Sequence, residues 1–171
     1  SKGCKKVIVA STPENFEDIQ IYVPGANDDS VDMNSSSFSL GSNTANAVAP
    51  ILKVLHNELG VERAFLTTIH GYSNSNRLAD VAGEGFRLNR AAGENIIPSI
   101  TKSSDVVTNV LPFIKNKIAS SSMTVPIPDG STVDLTVDIT KECSIEDINK
   151  IIEKASDSDL KDIIGITLSL I

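Results

Sequence analysis

Apolar residues recur at helical spacing in three segments of the chain. In residues 47–59 they fall three or four positions apart and Gly60 follows, which is typical of an amphipathic helix ended by glycine. A second helix is predicted to begin at residues 103–104 and to bend or end at Pro112, because serine caps helices and proline interrupts them. A third is predicted to begin at Ser144, where isoleucines follow at the same spacing.

Short β-branched runs predict the strands of a sheet. Residues 132–139 alternate between aliphatic side chains on one face and aspartate or threonine on the other, which fits a sheet covered on one side. The first run, residues 6–11, is predicted to be buried. Further strands are predicted over 19–23, 64–72, 123–127 and 166–171, with one more short helix over 157–164.

Two polar stretches without periodicity predict loops. Residues 27–37 are rich in aspartate and serine, and glycines interrupt residues 73–95. A loop as long as the second one is usually functional inside a compact domain. The tripeptide Gly83-Glu84-Gly85 begins like a dinucleotide-binding turn, but the third glycine is missing and no strand precedes it, so the signal is weak.

Composition and charge exclude several classes of protein for this sequence. Hydrophobic residues make up 40% of the 171 residues and charged residues 22%, which excludes wholesale disorder. The net charge of −7 argues against a protein that binds nucleic acid through the phosphate backbone. We expect no membrane span and no secretory signal, and two cysteines are too few for a disulfide framework. The expectation is therefore an acidic protein of a reducing compartment such as the cytoplasm or an organelle.

Two places combine polar residues in a way that suits chemistry. Residues 41–46, which read Gly-Ser-Asn-Thr-Ala-Asn, precede the first helix, so their hydroxyls and amides would gather at a helix N-terminus, where anions bind. A plain N-cap cluster explains the same composition. His70 ends a strand just before the long loop and is either structural or catalytic, whereas His56 on the first helix is predicted to lie at the surface.

Four blocks of sequence resemble the glyceraldehyde-3-phosphate dehydrogenase family. They read Gly-Ser-Asn-Thr-Ala-Asn-Ala-Val-Ala-Pro at 41–50, Leu-Thr-Thr-Ile-His-Gly-Tyr-Ser-Asn-Ser-Asn-Arg at 66–77, Asn-Ile-Ile-Pro at 95–98 and Val-Asp-Leu at 133–135. The blocks follow the order and spacing of that family, and the match runs from about Lys5 to the last residue.

The resemblance implies an α+β fold: a mixed, largely antiparallel sheet with helices on one face. Residues 41–171 would form the catalytic domain of this family of glycolytic oxidoreductases, and residues 1–40 would be remnant strands of its NAD-binding domain. The family uses NAD, but most of its nucleotide-binding domain has no counterpart in this sequence. We therefore expect no cofactor on this chain, because the strand–turn–helix unit that holds the pyrophosphate is missing.

The resemblance also assigns the catalytic positions. In the family, the first helix begins Ser-Cys-Thr-Thr-Asn-Cys, and the first cysteine attacks the aldehyde while a histidine lowers its pKa. Asn43 stands at the position of that nucleophile, Ala47 at that of the second cysteine, and His70 at that of the histidine. A carboxamide forms no thioester, so the resemblance predicts a pseudoenzyme.

The phosphate sites of the family are only partly matched. Thr124 stands where the family has the arginine shared by both sites, so the best anion clamp is lost. Lys102 replaces a glycine and would restore part of the positive charge. The hydroxyl positions that match the family's phosphate ligands are Ser42, Thr44, Ser73 and Thr101.

Three functions follow as hypotheses. The favoured one is a non-catalytic relative that serves as a structural or binding subunit. The first alternative is part of an NAD-dependent phosphorylating glyceraldehyde-3-phosphate dehydrogenase whose nucleotide domain lies outside this chain, with residual chemistry such as hydrolysis at His70. The second alternative is a phosphometabolite-binding module, which would take a small phosphorylated ligand. Its ligands would be Ser42, Thr44, Ser73 and Lys102.

Partners are implied by the resemblance as well. In the family, the open face of the catalytic sheet packs against the same sheet of a neighbouring subunit, and the long loop packs across another. Here that face would carry the polar or the aliphatic set of residues 132–139, according to register. We expect a homo-oligomer or a subunit of a larger protein complex.

Overall fold

The structure is a computed structural model, which describes residues 3–83 and 85–167. Within these residues, two strands precede each of three helices, and a 3-10 turn at Pro112–Ile114 follows the second helix. In chain order they are β1 (Val7–Val9), β2 (Ser37–Ser39), α1 (Asn43–Leu59), β3 (Val61–Gly71), β4 (Ile97–Ser99), α2 (Ser103–Val110), β5 (Ile118–Val125), β6 (Ser131–Ile139) and α3 (Ile145–Asp157).

The main sheet has four strands in the order β4–β5–β3–β6. β3 runs parallel to β5 and antiparallel to β6, and β4 runs antiparallel to β5. The sheet is therefore mixed and mostly antiparallel, and the fold class α+β is confirmed. A separate pair, β1 and β2, is parallel.

One face of the main sheet carries the core, as the alternation along 132–139 predicted. Leu66 on β3 lies opposite Leu135 on β6, and both pack toward the helices. The next pair along the strands, Phe65 and Thr136, lies on the other face and is exposed. Because successive side chains of a strand point to opposite faces, this register leaves the polar set of β6 on the open face.

α1 begins four residues earlier than its hydrophobic period predicted, because the polar residues before that period cap it. The Ser42 hydroxyl accepts a hydrogen bond from the Ala45 amide at 3.0 Å, which satisfies one of the helix's free N–H groups. The helix ends as predicted at Gly60, which has a φ of 74°. A β-carbon at Gly60 would lie 2.1 Å from Thr140 Oγ1. Both the positive φ and the lack of space for a side chain therefore require glycine at this position.

The core lies where α1 and α2 cover the inner face of the main sheet. Side chains from each of these layers are fully buried, and Leu52 of α1 is 0% exposed. The fully buried aliphatic residues with the largest side chains are Leu52, Leu66, Ile114, Val23, Val48, Val106 and Val107. Among the described residues, no helix is long and apolar enough to cross a bilayer.

Several predicted strand positions are wrong in the first forty residues. β1 is a three-residue strand, and its side chains are exposed rather than buried, because it belongs to the separate two-stranded sheet and contributes no residue to the core. Residues 19–23 form a single bridge, from Ile21 to Ser39, instead of a strand. Asn27 explains the irregular path, since its side chain accepts a hydrogen bond from the Val23 amide and donates one to the Ile21 carbonyl.

Other differences lie in residues 97–167. β4 was not predicted, because it has only three residues, just after the glycine-bearing loop, and no period can be recognised over that length. The helix predicted over 157–164 is a series of turns, with Asp162 at a φ of 65°. Ile166 and Thr167 belong to no strand, and the remainder of the run predicted over 166–171 lies outside the described residues.

His56 is another difference, since it is half-buried rather than at the surface. Its ring stacks on Phe113 at a centroid distance of 3.8 Å, and its Nδ1 accepts a hydrogen bond from the Val61 amide. This histidine therefore joins α1 to the start of β3.

Candidate active site

A cavity of about 850 Å³ opens where β3, β5 and β6 meet the beginning of α1. The parallel strands β3 and β5 both end at this edge, and the loop that follows β3 forms the outer wall. Several polar and charged residues line this cavity. They include Asn43, His70, Ser73, Ser75, Arg87, Thr124, Asp129 and Ser131.

His70 is held in place by the sheet and by one hydrogen bond. It is the next-to-last residue of β3, in register with Thr124 on β5 and Ser131 on β6. Its Nδ1 lies 2.7 Å from Ser131 Oγ. Burial lowers the pKa of His70, since removal from water disfavours the charged ring. The imidazole is therefore neutral at pH 7 and can accept a proton.

Asn43 is the first residue of α1, and its side chain is exposed to the cavity. Its Oδ1 accepts a hydrogen bond from the Thr44 amide at 2.8 Å. The carbonyl end of the carboxamide is therefore engaged with the helix, and the Nδ2 end remains as a donor. A carboxamide at this position can bind a polar group but is no nucleophile.

Two of the positions that were matched to the family's phosphate sites lie on the wall of the cavity: Ser73, a predicted ligand, and Thr124, the position of the lost arginine. Ser73 contacts Ser75 through their hydroxyls at 2.9 Å, and Thr124 Oγ1 lies 3.1 Å from Ser99 Oγ. Arg87 also lines this cavity, whereas sequence reasoning had placed it in the long loop as a residue for a subunit contact and not among the site residues. It falls in the loop between β3 and β4, where no period indicates which side chains face inward.

The other predicted phosphate ligands lie outside this wall. Ser42 Oγ and Thr101 Oγ1 meet at Ser103, with oxygen–oxygen distances of 3.5 Å and 2.8 Å, where the beginnings of α1 and α2 approach each other. Thr44 is 4% exposed and lines a second, smaller cavity. Lys102 is exposed immediately before α2, away from the cavity that His70 lines.

Comparison with known sequences places this site in a family. The sequence model of "Glyceraldehyde 3-phosphate dehydrogenase, C-terminal domain" matches residues 42–171, which contain the whole main sheet and all three helices. The chain belongs to the glyceraldehyde-3-phosphate dehydrogenase family.

Individual relatives agree with this assignment. The chain is 42% identical over 164 residues to a glyceraldehyde-3-phosphate dehydrogenase of Priestia megaterium (strain DSM 319 / IMG 1521), covering 95% of this chain and 48% of that protein. It is equally similar to glyceraldehyde-3-phosphate dehydrogenase 1 of Bacillus subtilis (strain 168), with the same coverage. The dehydrogenase of Borreliella burgdorferi is 41% identical over 167 residues, or 96% of this chain and 49% of that protein. The chain thus spans about half the length of the curated relatives that it matches.

The residues that are present do not fit the family's cofactor by themselves. The glyceraldehyde-3-phosphate dehydrogenase family uses NAD, whose pyrophosphate needs a strand that leads through a glycine-rich turn into a helix. In the part of the chain that the structure describes, β2 leads into α1 through Leu40, Gly41 and Ser42 only. A side chain on Gly41 would meet Val106 at 2.9 Å, so this glycine serves the packing of the core.

A cysteine in place of Asn43 tests the geometry that the family resemblance assigns. We expect the thiol of Asn43→Cys to react with iodoacetamide with an apparent pKa below the value of about 8.5 for a free cysteine, because it would lie at the N-terminus of α1 and on the wall of the cavity that His70 also lines. Mass analysis of the labelled peptide against pH separates it from Cys4 and Cys143. The matched control is Ala47→Cys, one turn further along α1. Equal labelling pKa values in the two variants would contradict the predicted position of residue 43.

Proposed function

We propose that this chain is a catalytically degenerate glyceraldehyde-3-phosphate dehydrogenase-like protein that serves as a structural or binding subunit of an oligomer or larger complex in a reducing compartment such as the cytoplasm. The observation that carries the proposal is Asn43 on the wall of the cavity, in the position that the family resemblance assigns to the nucleophile. A carboxamide cannot form the covalent adduct from which the family's hydride transfer proceeds. His70 is retained but has no thiol to activate.

The open face of the main sheet supports the role as a subunit. Phe65 lies in the middle of β3 on that face with 45% of its surface exposed. Phe65 lines a shallow cavity of about 470 Å³ on this face. Ala119, Thr136 and the ion pair between Arg63 and Asp138 line the same cavity. Aromatic residues are enriched in protein–protein interfaces, so this face is the candidate contact surface. A second copy of this chain would bring the same face and close the contact symmetrically.

A second candidate function rests on Arg87. Arg87 lines the same cavity as Ser73 and Thr124, so one cationic residue and two hydroxyl-bearing residues lie around one space. That combination suits a small phosphorylated metabolite, which would bind without being oxidised. Calorimetric titration with glyceraldehyde 3-phosphate tests this candidate, and Arg87→Met should abolish any binding that is found.

Two measurements test the proposed function: the dehydrogenase activity of the purified chain and its mass in solution. The purified chain should form no NADH from NAD, phosphate and glyceraldehyde 3-phosphate, and it should sediment above the monomer mass of 18.2 kDa at high micromolar concentration. NADH formation would contradict the loss of activity, and a monodisperse monomer would contradict the role as a self-associating subunit. NADH formation only after addition of the first half of the Bacillus subtilis relative would favour the alternative of a divided enzyme.

A further inference from the structure

Ser131 lies at the junction of two cavities. The first is the polar cavity described above, and the second is an apolar slot of about 320 Å³ between α1 and β6. Two residues, Asn43 and Ser131, line both spaces. The other residues of the apolar slot are Thr44, Ala47, Val48, Ile51, Val133 and Leu135.

We propose that Ser131 and His70 form a nucleophile–base pair that transfers the acyl group of a short-chain carboxylic ester first to Ser131 and then to water. This activity uses neither a thiol nor NAD. It is independent of the proposed function, since a subunit of an oligomer can carry it or lack it.

The distance between the two side chains is that of a nucleophile and its general base. Ser131 Oγ lies 2.7 Å from His70 Nδ1, within the range of about 2.6–3.2 Å at which such pairs operate. Ser131 is exposed at the beginning of β6, so an ester can reach its oxygen. His70 is half-buried, and burial lowers its pKa, so the ring is neutral at pH 7. In the tautomer that carries its hydrogen on Nε2, the Nδ1 atom beside Ser131 accepts the serine proton, and the proposal requires that tautomer.

Asn43 provides donors for the charge that would develop on the ester oxygen. Because Oδ1 is engaged by the Thr44 amide, the hydrogens of Nδ2 remain for a ligand. The backbone N–H of Asn43 belongs to the first turn of α1, where amides have no acceptor within the helix. Donors of this kind stabilise the oxyanion of acyl transfer.

The apolar slot determines the class of substrate. Its walls are mostly aliphatic, and it begins at Ser131, so a short aliphatic acyl chain would lie in it with the ester carbonyl at the serine. The alcohol portion would remain in the polar cavity beside Arg87 and Asp129. The arrangement therefore fits an aliphatic acyl ester of a polar alcohol.

The reaction consumes only the ester and one water molecule. Ser131 Oγ attacks the carbonyl carbon while its proton passes to His70 Nδ1, and a C–O bond forms. The tetrahedral intermediate then expels the alcohol oxygen, which takes the proton from His70, and an acyl ester of Ser131 remains. Water attacks that ester with His70 again as the base, and the carboxylic acid leaves with the serine restored.

The test uses p-nitrophenyl butyrate as the probe and records both turnover and the adduct. We expect nitrophenolate release above that of free imidazole, and a butyryl group on the peptide that contains Ser131 after acid quenching. Ser131→Ala should abolish the adduct, and His70→Gln should slow acylation by about 100-fold or more. Thr132→Ala, which removes the next hydroxyl along β6 from the opposite face of that strand, is the matched control and should leave the rate unchanged.

The outcomes decide the proposal without depending on any one variant. The position of the butyryl group is read from the unaltered protein, so a Ser131→Ala chain that fails to fold leaves the test intact. Release no faster than with imidazole, an adduct on another residue, or equal release by a folded Ser131→Ala chain would each overturn it. A faster reaction with butyrate than with acetate would support the assignment of the slot.

Discussion

Truncation of Leu52 to alanine should lower the free energy of unfolding by about 2–5 kcal/mol, a large part of the stability of a domain of this size. Leu52 is fully buried in the middle of α1, where that helix packs on the sheet and on α2. The substitution removes apolar contacts and leaves a cavity that the surrounding core can fill only in part. The loss of stability is measured by urea denaturation, as a lower midpoint concentration with an unchanged dependence of the unfolding free energy on urea.

The matched control is Leu78→Ala, which makes the same chemical change in the exposed loop after β3. Leu78 is 59% exposed, so we expect a change within about 0.5 kcal/mol. If the two variants unfold at the same urea concentration, α1 does not contribute its inner face to the core as described.

Replacement of Phe65 by glutamate should convert an oligomer of this chain into a smaller species, with little change in the stability of the fold. Phe65 is exposed on the open face, where Asp134 of β6 supplies negative charge and Asp138 is paired with Arg63. A further carboxylate would remove apolar contact and would place like charges opposite each other in a symmetric contact. Sedimentation velocity of the two chains at equal concentration measures the change.

Ile145→Glu serves as the control for this prediction. Ile145 is 75% exposed at the start of α3, on the helical side of the domain, so it lies away from the open face. We expect this variant to sediment like the unaltered chain. Retention of the full oligomer by Phe65→Glu would exclude the open face as the main contact.

The elements that sequence reasoning predicted well are those with a long, one-sided period. α1, α3 and β6 each bury one face against the same core, so the spacing of their aliphatic residues reflects their structure directly. β1 and β4 are three residues long and pair on a single edge, and no period can develop over that length. The stretch over 157–164 has a helical composition but folds as turns, because tertiary context overrides weak propensity.

Sequence reasoning predicted only those residues of the candidate site that belong to a recognised family motif. Asn43 and His70 were found through the family resemblance, and both line the cavity. Ser131 and Arg87 were missed because their roles depend on information that is not local. The contact of Ser131 with His70 follows from the register of β3 against β6, and that of Arg87 from the path of a loop.

The parallel pairing of β3 with β5 has a consequence for how the chain reaches this fold. β3 is flanked on both sides by strands that come much later in the sequence; Thr67 and its β5 partner Ser121 are 54 residues apart. Pairings between distant segments lose much chain entropy before they gain contacts, so they form late and slowly. During synthesis, β3 leaves the ribosome long before either neighbour exists. Its apolar inner face and its unpaired backbone then remain open to other chains until the residues of β6 have emerged.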